Sequence, residues 1–271
     1  MKNMKKLWAL LLALAMVLSL AACGGTSDGE TATDDQTTED TATDETTETD
    51  SDLAYVQDKG SLVVGITYFA PMDYKAEGSD EWIGFDADLA KLFAESLGVS
   101  VEFQEITWDY KVEELNSRAI DCVWNGFTMT GREDEYTWTE PYMNNEQVFV
   151  VMADSGISNT SDLAGKVVEV QVDSAAETAI NDDPDLKATF ASVETTPNYN
   201  QAIMDLEMGA VDAVAMDSVV AKYLLTQRGT DAVILDDAIS SEQYAVGFKL
   251  GNEELRDKVQ AALEEMAADG T

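Results

Sequence analysis

The chain has 271 residues, with 16 Lys and Arg against 53 Asp and Glu, a formal net charge of −37 and no histidine. So acidic a chain lacks the basic patches that nucleic acid and anionic lipid surfaces require. The lack of histidine removes Ser-His-Asp and Cys-His nucleophile systems and the usual His-based metal sites together, so no metal or other cofactor is expected.

In chain order, residues 1–22 carry Lys2, Lys5 and Lys6, an apolar run from Leu7 to Leu20, and the small pair Ala21-Ala22. That is the pattern of a secretory signal peptide, and its run of about 14 residues is shorter than the roughly 20 a membrane-spanning helix needs. Leu20-Ala21-Ala22-Cys23 resembles the lipobox of bacterial lipoproteins. The resemblance implies acylation of Cys23 and an extracytoplasmic protein lipid-anchored to the outer face of the cell membrane. Residues 24–52 hold eleven acids and no Lys or Arg, so 23–52 reads as a lipidated Cys followed by an acidic, Thr-rich disordered linker. With Cys23 acylated, Cys122 has no disulfide partner; its place in Cys122-Val123-Trp124 predicts a buried, inert thiol.

From residue 53 on, 13 basic residues face 42 acidic ones, a net charge of −29. The remaining length suits one large domain or two lobes of roughly 100 residues each. Apolar, β-rich runs at Leu62–Ile66, Val99–Phe103, Cys122–Trp124, Val148–Met152, Val167–Val172 and Ala213–Met216 predict strands. Helical patterns lie between them: one starts around Asp86 and stops at Gly98, one opens on a Ser174/Glu177 capping box, and one ends at Gly209. Alternating strands and helices imply a largely parallel α/β architecture. A weak repeat, Leu115 to Val123 against Leu206 to Val214, matches at Leu, Ala, a β-branched residue, Asp and Val. Two related lobes would leave such a trace.

In open α/β sheets ligands bind beyond the C-terminal ends of strands. The residues there are Thr67, Tyr68 and Phe69; Thr107 and Trp108; Asn125, Gly126, Thr128 and Arg132; Asp173, Ser174 and Ala175; and Asp217. Arg132 and the helix start at Ser174 suit a carboxylate, Asp217 suits an ammonium, and the aromatics suit what lies between. That inventory fits a zwitterion. Alternatives stand beside each reading: Arg132 could pair with Glu133, Asp134 or Glu135 at the surface, Asp217 could N-cap the helix that follows, and Phe69 and Trp108 could be core. Trp82 and Trp124 read as packing residues.

Residues 54–270 resemble the amino-acid-binding (family 3) members of the extracellular solute-binding proteins that serve bacterial ABC importers. The resemblance rests on Leu62-Val63-Val64-Gly65, Gly84-Phe85-Asp86-Ala87-Asp88-Leu89-Ala90, Trp124 through Arg132, Glu140-Pro141-Tyr142, Asp162-Leu163-Ala164-Gly165-Lys166 and Val211-Asp212-Ala213-Val214, in that order. It implies a bilobal, periplasmic-binding-protein-like type II α/β fold, with two lobes joined by two hinge strands near Gln147-Val148 and Gln243-Tyr244. Lobe 1 would comprise 53–147 plus 245–271, and lobe 2 148–244. It also implies that Arg132, Thr128, Ser174 and Ala175 grip a ligand carboxylate, and that Gly126 and Asp217 take the amine. Phe69 and Trp108 would sandwich the side chain, with Asn125, Gln171 and Met216 setting selectivity. The expected function is capture of a polar α-amino acid, glutamine or cystine, by a monomer that delivers it to an ABC transporter permease. An enzyme reading, a dehydratase on the same fold, and a sensor or surface adhesin stand as alternatives.

Three departures from the family pattern matter. The loop before Arg132 is one residue shorter than usual, which puts the reach of the arginine in doubt. Asp173 stands where glycine is frequent, placing a negative charge near the expected carboxylate site. The chain stops at Asp269-Gly270-Thr271, where members usually run on into a last helix, so a truncated chain is expected, with a less stable first lobe but no ligand contact deleted.

Overall fold

The computed structural model describes residues 51–271. The expected signal peptide, Cys23 and nearly all of the linker lie outside the described residues. The linker's last residues do not: Ser51 caps the first helix by accepting from the Ala54 N–H (3.1 Å), and Asp52 opens it, an acid favoured beside the N-terminal dipole.

In chain order the first half runs α1 (Asp52–Lys59), β1 (Ser61–Ile66), β2 (Tyr74–Lys75), β3 (Trp82–Ile83), α2 (Phe85–Leu97), β4 (Ser100–Glu105), α3 (Lys111–Asn116), β5 (Cys122–Val123), β6 (Thr137–Trp138) and β7 (Met143–Met152). The second half runs β8 (Val167–Gln171), α4 (Ala175–Asp182), α5 (Pro184–Lys187), β9 (Ser192–Thr196), α6 (Tyr199–Glu207), β10 (Ala213–Asp217), α7 (Ser218–Arg228), β11 (Ala232–Tyr244), β12 (Gly247–Phe248) and α8 (Glu253–Asp269).

Two five-stranded sheets result, β4-β1-β5-β12-β6 and β11-β7-β10-β8-β9. In the first, β1 runs parallel to β4 and β5, while β12 runs antiparallel to β5 and β6. In the second, β8 lies parallel to both β9 and β10, and β7 runs antiparallel to β10 and β11. The chain crosses between sheets at residues 139–142 and again at 245–246. The expected division near Gln147-Val148 therefore falls inside β7, which is continuous there and pairs with β11 from Met143↔Tyr244 to Met152↔Ala232.

All six expected strands are present, and the longer β9 and β11 and the two-residue β2, β3, β6 and β12 join them unannounced. Acids and serines interrupt β11, whose register shifts around Ala238, so neither alternation nor an apolar run marks it in the sequence. The Ser174 cap is half of the expected box: Ser174 Oγ accepts from the Glu177 N–H (3.1 Å), but Glu177 accepts from the Asp173 N–H (2.6 Å). Asp86 lies inside α2 and is buried, with its carboxylate directed away from the helix. Gly84, at that helix's N-cap, has φ +122°, and a Cβ there would sit 2.3 Å from the Met72 carbonyl oxygen.

The repeat read in the sequence has a structural counterpart. Asp121 before β5 accepts from the Val63 N–H in β1 (2.6 Å) and pairs with Lys59. Asp212 before β10 accepts from the Val167 N–H in β8 (2.9 Å) and pairs with Lys166. The aligned residues Arg118 and Gly209 share a left-handed backbone, φ 58° and 71°. Each lobe thus seats its central parallel pair by the same helix, turn and acid.

Val64, Phe93, Trp124, Val246 and Leu255 are among the residues that fill one side of the first sheet, and Phe149, Leu163, Val170 and Ile180 pack in the second lobe. Cys122 is fully buried and burial pushes its thiol pKa up, so it is an inert core residue. Trp82 and Trp124 are buried packing residues, as expected. No helix among the described residues is long and apolar enough to cross a membrane.

Candidate functional site

Ten of the eleven expected contact residues line one cavity of about 20 Å³, room for roughly one water. From the first lobe come Phe69, Trp108, Asn125, Gly126, Thr128 and Arg132; from the second come Gln171, Ser174, Ala175 and Asp217. Met216 is the exception and a correction. Side chains alternate along a strand, so β10 turns Met216 away from the face that carries Asp217 and into the core beside Val148, Tyr199 and Val220.

Arg132 reaches the cavity despite its short loop. Gly131 takes φ +82°, and the Arg132 N–H closes the turn on the Met129 carbonyl (2.8 Å). Its guanidinium donates to the Thr128 carbonyl (3.3 Å) and the Asp173 carbonyl (3.1 Å) and lies 5.7 Å from the Phe127 ring centre. It makes no ion pair with Glu133, Asp134 or Glu135, so the surface-pair alternative does not describe it.

Asp217 occupies the N-cap position of α7, but its side chain caps nothing. Asn145 Oδ1 takes that task, accepting from the Ser218 hydroxyl (3.1 Å) and the Val219 N–H (3.4 Å). Asp217 is left to face the cavity, its rotamer fixed by four donors: Asn145 Nδ2 (2.8 Å), Gln147 Nε2 (2.8 Å), Tyr244 OH (2.5 Å) and Tyr199 OH (2.9 Å). The same two amides also donate to Glu242. Burial, and then the nearby Asp217 charge, push the Glu242 carboxyl up to about 8.

Asn125 is locked against the end of β1: its Oδ1 accepts from the Thr67 N–H (2.7 Å), and its Nδ2 donates to the Thr67 hydroxyl (2.8 Å). Gln171 Nε2 donates to the Pro197 carbonyl (3.1 Å). Both amides shape the cavity wall with part of their bonding capacity already committed. Gly126 sits at φ +54°, with its N–H on Asp86 Oδ2 (2.5 Å); a Cβ there would lie 2.5 Å from the Phe69 ring. Only glycine allows that close approach of backbone to aromatic wall. Burial raises Asp86 to about 7, and it also accepts from Tyr142 (2.9 Å).

Thr67 and Tyr199 line the cavity as well. Thr67 follows a predicted strand. Tyr199 follows β9, whose sequence Ser-Val-Glu-Thr-Thr carries only one aliphatic residue; recognising that strand would have exposed Tyr199 by the same strand-end rule. Apart from Arg132 and Asp217, the residues lining this cavity carry no formal charge.

The model of the bacterial extracellular solute-binding proteins, family 3, matches residues 62–271. The L-cystine-binding protein TcyA of Bacillus subtilis is 31% identical over 268 residues, covering 96% of this chain and 93% of that protein. The arginine-binding extracellular protein ArtP of the same organism is 27% identical, covering 98% of this chain and 94% of that one. Among solved structures, an ABC uptake transporter substrate-binding protein from Streptococcus pneumoniae with bound histidine superposes with a TM-score of 0.78 at 30% identity, covering 82% of this chain and 92% of that one. With two α/β lobes of type II topology meeting at one cavity, the chain belongs to family 3 of the bacterial extracellular solute-binding proteins, a family of binding proteins and not of enzymes.

Proposed function

We propose that this protein captures a polar α-amino acid whose side chain carries no net charge, L-glutamine or L-cystine, by closing its lobes, and hands it to the permease of an ABC importer. It works as a monomer, tethered outside the cytoplasm by a lipid on Cys23. The observation that carries the reading is the charge inventory of the cavity: one guanidinium from the first lobe and one carboxylate from the second, among neutral walls. The guanidinium matches a ligand carboxylate in bidentate geometry, and Asp217 matches the ammonium. With both charges committed to the zwitterion, no charged lining residue remains to balance a net charge on the side chain, so a side chain without net charge fits. The similarity to TcyA, named for L-cystine, supports the same choice.

Because the two groups sit on different lobes, a ligand that touches both favours the closed arrangement over the open one. A thermal-shift screen of the twenty amino acids and L-cystine tests the reading. A micromolar ligand at millimolar concentration contributes about 4 kcal/mol, an upward shift of roughly 8–16 °C. The expected result is such a shift with glutamine or cystine, abolished by N-acetylation. A shift confined to arginine or glutamate would overturn the neutral side chain. Membrane fractionation of a Cys23→Ser chain tests the tether; retention in the membrane would remove it.

A further inference from the structure

Asp173, the charge that departs from the family pattern, is contacted by three residues of the opposite lobe. Its backbone has φ +55°, in the left-handed region that glycine favours and that Asp tolerates. The Asp173 carbonyl accepts from Trp108 Nε1 (3.1 Å) and Arg132 Nη2 (3.1 Å). Its carboxylate, half-exposed, forms an ion pair with Lys111.

Lys111 is the unusual member of this group. It opens α3, yet its side chain is 1% exposed. Its ammonium donates to the Trp108 carbonyl (3.2 Å) and lies 4.7 Å from the centre of the Trp108 ring, both neutral partners within its own lobe. Its ion-pair partner stands across the cleft. A buried ammonium is tolerated when paired and costly when not, so closure of the lobes is conditional on what meets Lys111.

We propose that Lys111 and Asp173 are a positioning pair for capture: closure buries the Lys111 ammonium, so the lobes close in the register that seats Asp173 against it. That register brings the turn at residues 173–175, with Ser174 and Ala175, up to Arg132. The pair also offsets the Asp173 charge beside the ligand carboxylate. The inference rests on capture by lobe closure and is independent of which amino acid is captured.

The test uses the full-length chain in a Cys23→Ser background, spin-labelled at Glu135→Cys and Asp182→Cys. These two exposed residues flank a hollow between the lobes that Arg132 and Asp173 also line. Asp173→Asn keeps a residue suited to the left-handed backbone but leaves Lys111 without its counter-charge. The expected result is a longer and broader interlobe distance, and a dissociation rate for L-glutamine or L-cystine faster by about tenfold or more. Adding Lys111→Met removes the buried charge, and the double variant returns both readouts toward wild type. A purely conformational role for Asp173 would not respond to Lys111. Wild-type distances in Asp173→Asn, or failure of Lys111→Met to restore them, overturns the proposal. If neither amino acid binds any version, the ligand reading fails while the distances still decide the pair.

Discussion

The two lobes repeat one construction and divide the chemistry between them. Asp121 and Asp212 play the same part at the foot of β5 and β10, each holding the N–H of a neighbouring parallel strand and a lysine. At the other ends of the strands the likeness stops. The first lobe delivers aromatics and a guanidinium, Phe69, Trp108 and Arg132, while the second delivers a helix start at Ser174 and a carboxylate at Asp217. A duplicated scaffold can therefore recognise an asymmetric molecule, because strand-end residues are free to differ while the turns that seat the strands are not.

The sharpest way to separate chemistry from scaffold is Arg132→Ala. The Arg132 guanidinium contributes two hydrogen bonds to carbonyls and no ion pair among the described residues, so folding loses little. A bound carboxylate would lose its bidentate partner. Affinity for L-glutamine or L-cystine is expected to fall by about 4 kcal/mol, roughly a thousandfold, with the melting temperature within a few degrees of wild type. Calorimetry that finds near-wild-type affinity would leave the first lobe without its ligand charge.

The scaffold half of the comparison breaks at the paired acids. The Asp121 side chain is 5% exposed and that of Asp212 is 37% exposed, although both make the same two contacts. Removing Asp121 strands a strand N–H and a lysine in a dry turn, whereas water replaces much of what Asp212 supplies. Asp121→Ala is expected to cost about 2–3 kcal/mol in urea unfolding and Asp212→Ala about 1 kcal/mol. Equal losses would mean that burial does not distinguish the two turns.

The strand-end residues were legible because the rule that finds them is local: a β-rich run ends, and the next few residues face the cleft. Arg132, Asn125, Gly126 and Asp217 all follow from it. Met216 does not: its assignment comes through the family resemblance, and alternation along β10 turns it away from the face that carries Asp217. Nor was Lys111 legible. Lys-Val-Glu-Glu-Leu reads as an exposed helical face, and the carboxylate that pairs with that buried lysine is 62 residues away on the other lobe. Asn145 is hidden for a similar reason, since its bond to Asp217 spans 72 residues and the strand partner that orients it, β11, leaves little trace in the sequence. Pairings within a βα unit are written locally, and long-range pairings, whether across the cleft or between strands of one sheet, are not.

Each lobe also buries acids in or behind the cavity wall, and these make stability depend on pH in a direction that can be worked out. In the first lobe, burial lifts Asp86 from 3.8 to about 7, and burial followed by the Asp86 charge lifts the fully buried Asp73 well above its ordinary range. Behind the second lobe's Asp217, Glu242 rises from 4.5 to about 8. A carboxyl whose folded pKa exceeds its unfolded value binds more protons folded than unfolded, so its contribution is full below the unfolded pKa and is lost as pH rises through the folded one. Asp162 and Glu207 shift the opposite way, but they titrate below the window in question. The melting temperature is therefore expected to be highest near pH 4 and to fall by about 5 °C or more towards pH 8, with the chain's growing negative charge acting in the same direction. Asp86→Asn should reduce the lower part of that slope, to which Glu169, lifted to about 7 chiefly by burial, also contributes, and Glu242→Gln the upper part, since each removes one titrating carboxyl while keeping the shape of the side chain. A profile that rises from pH 5 to 8 in the wild type would mean that these acids are ionised in the fold, and that the donors around Asp86 and Glu242 outweigh their burial.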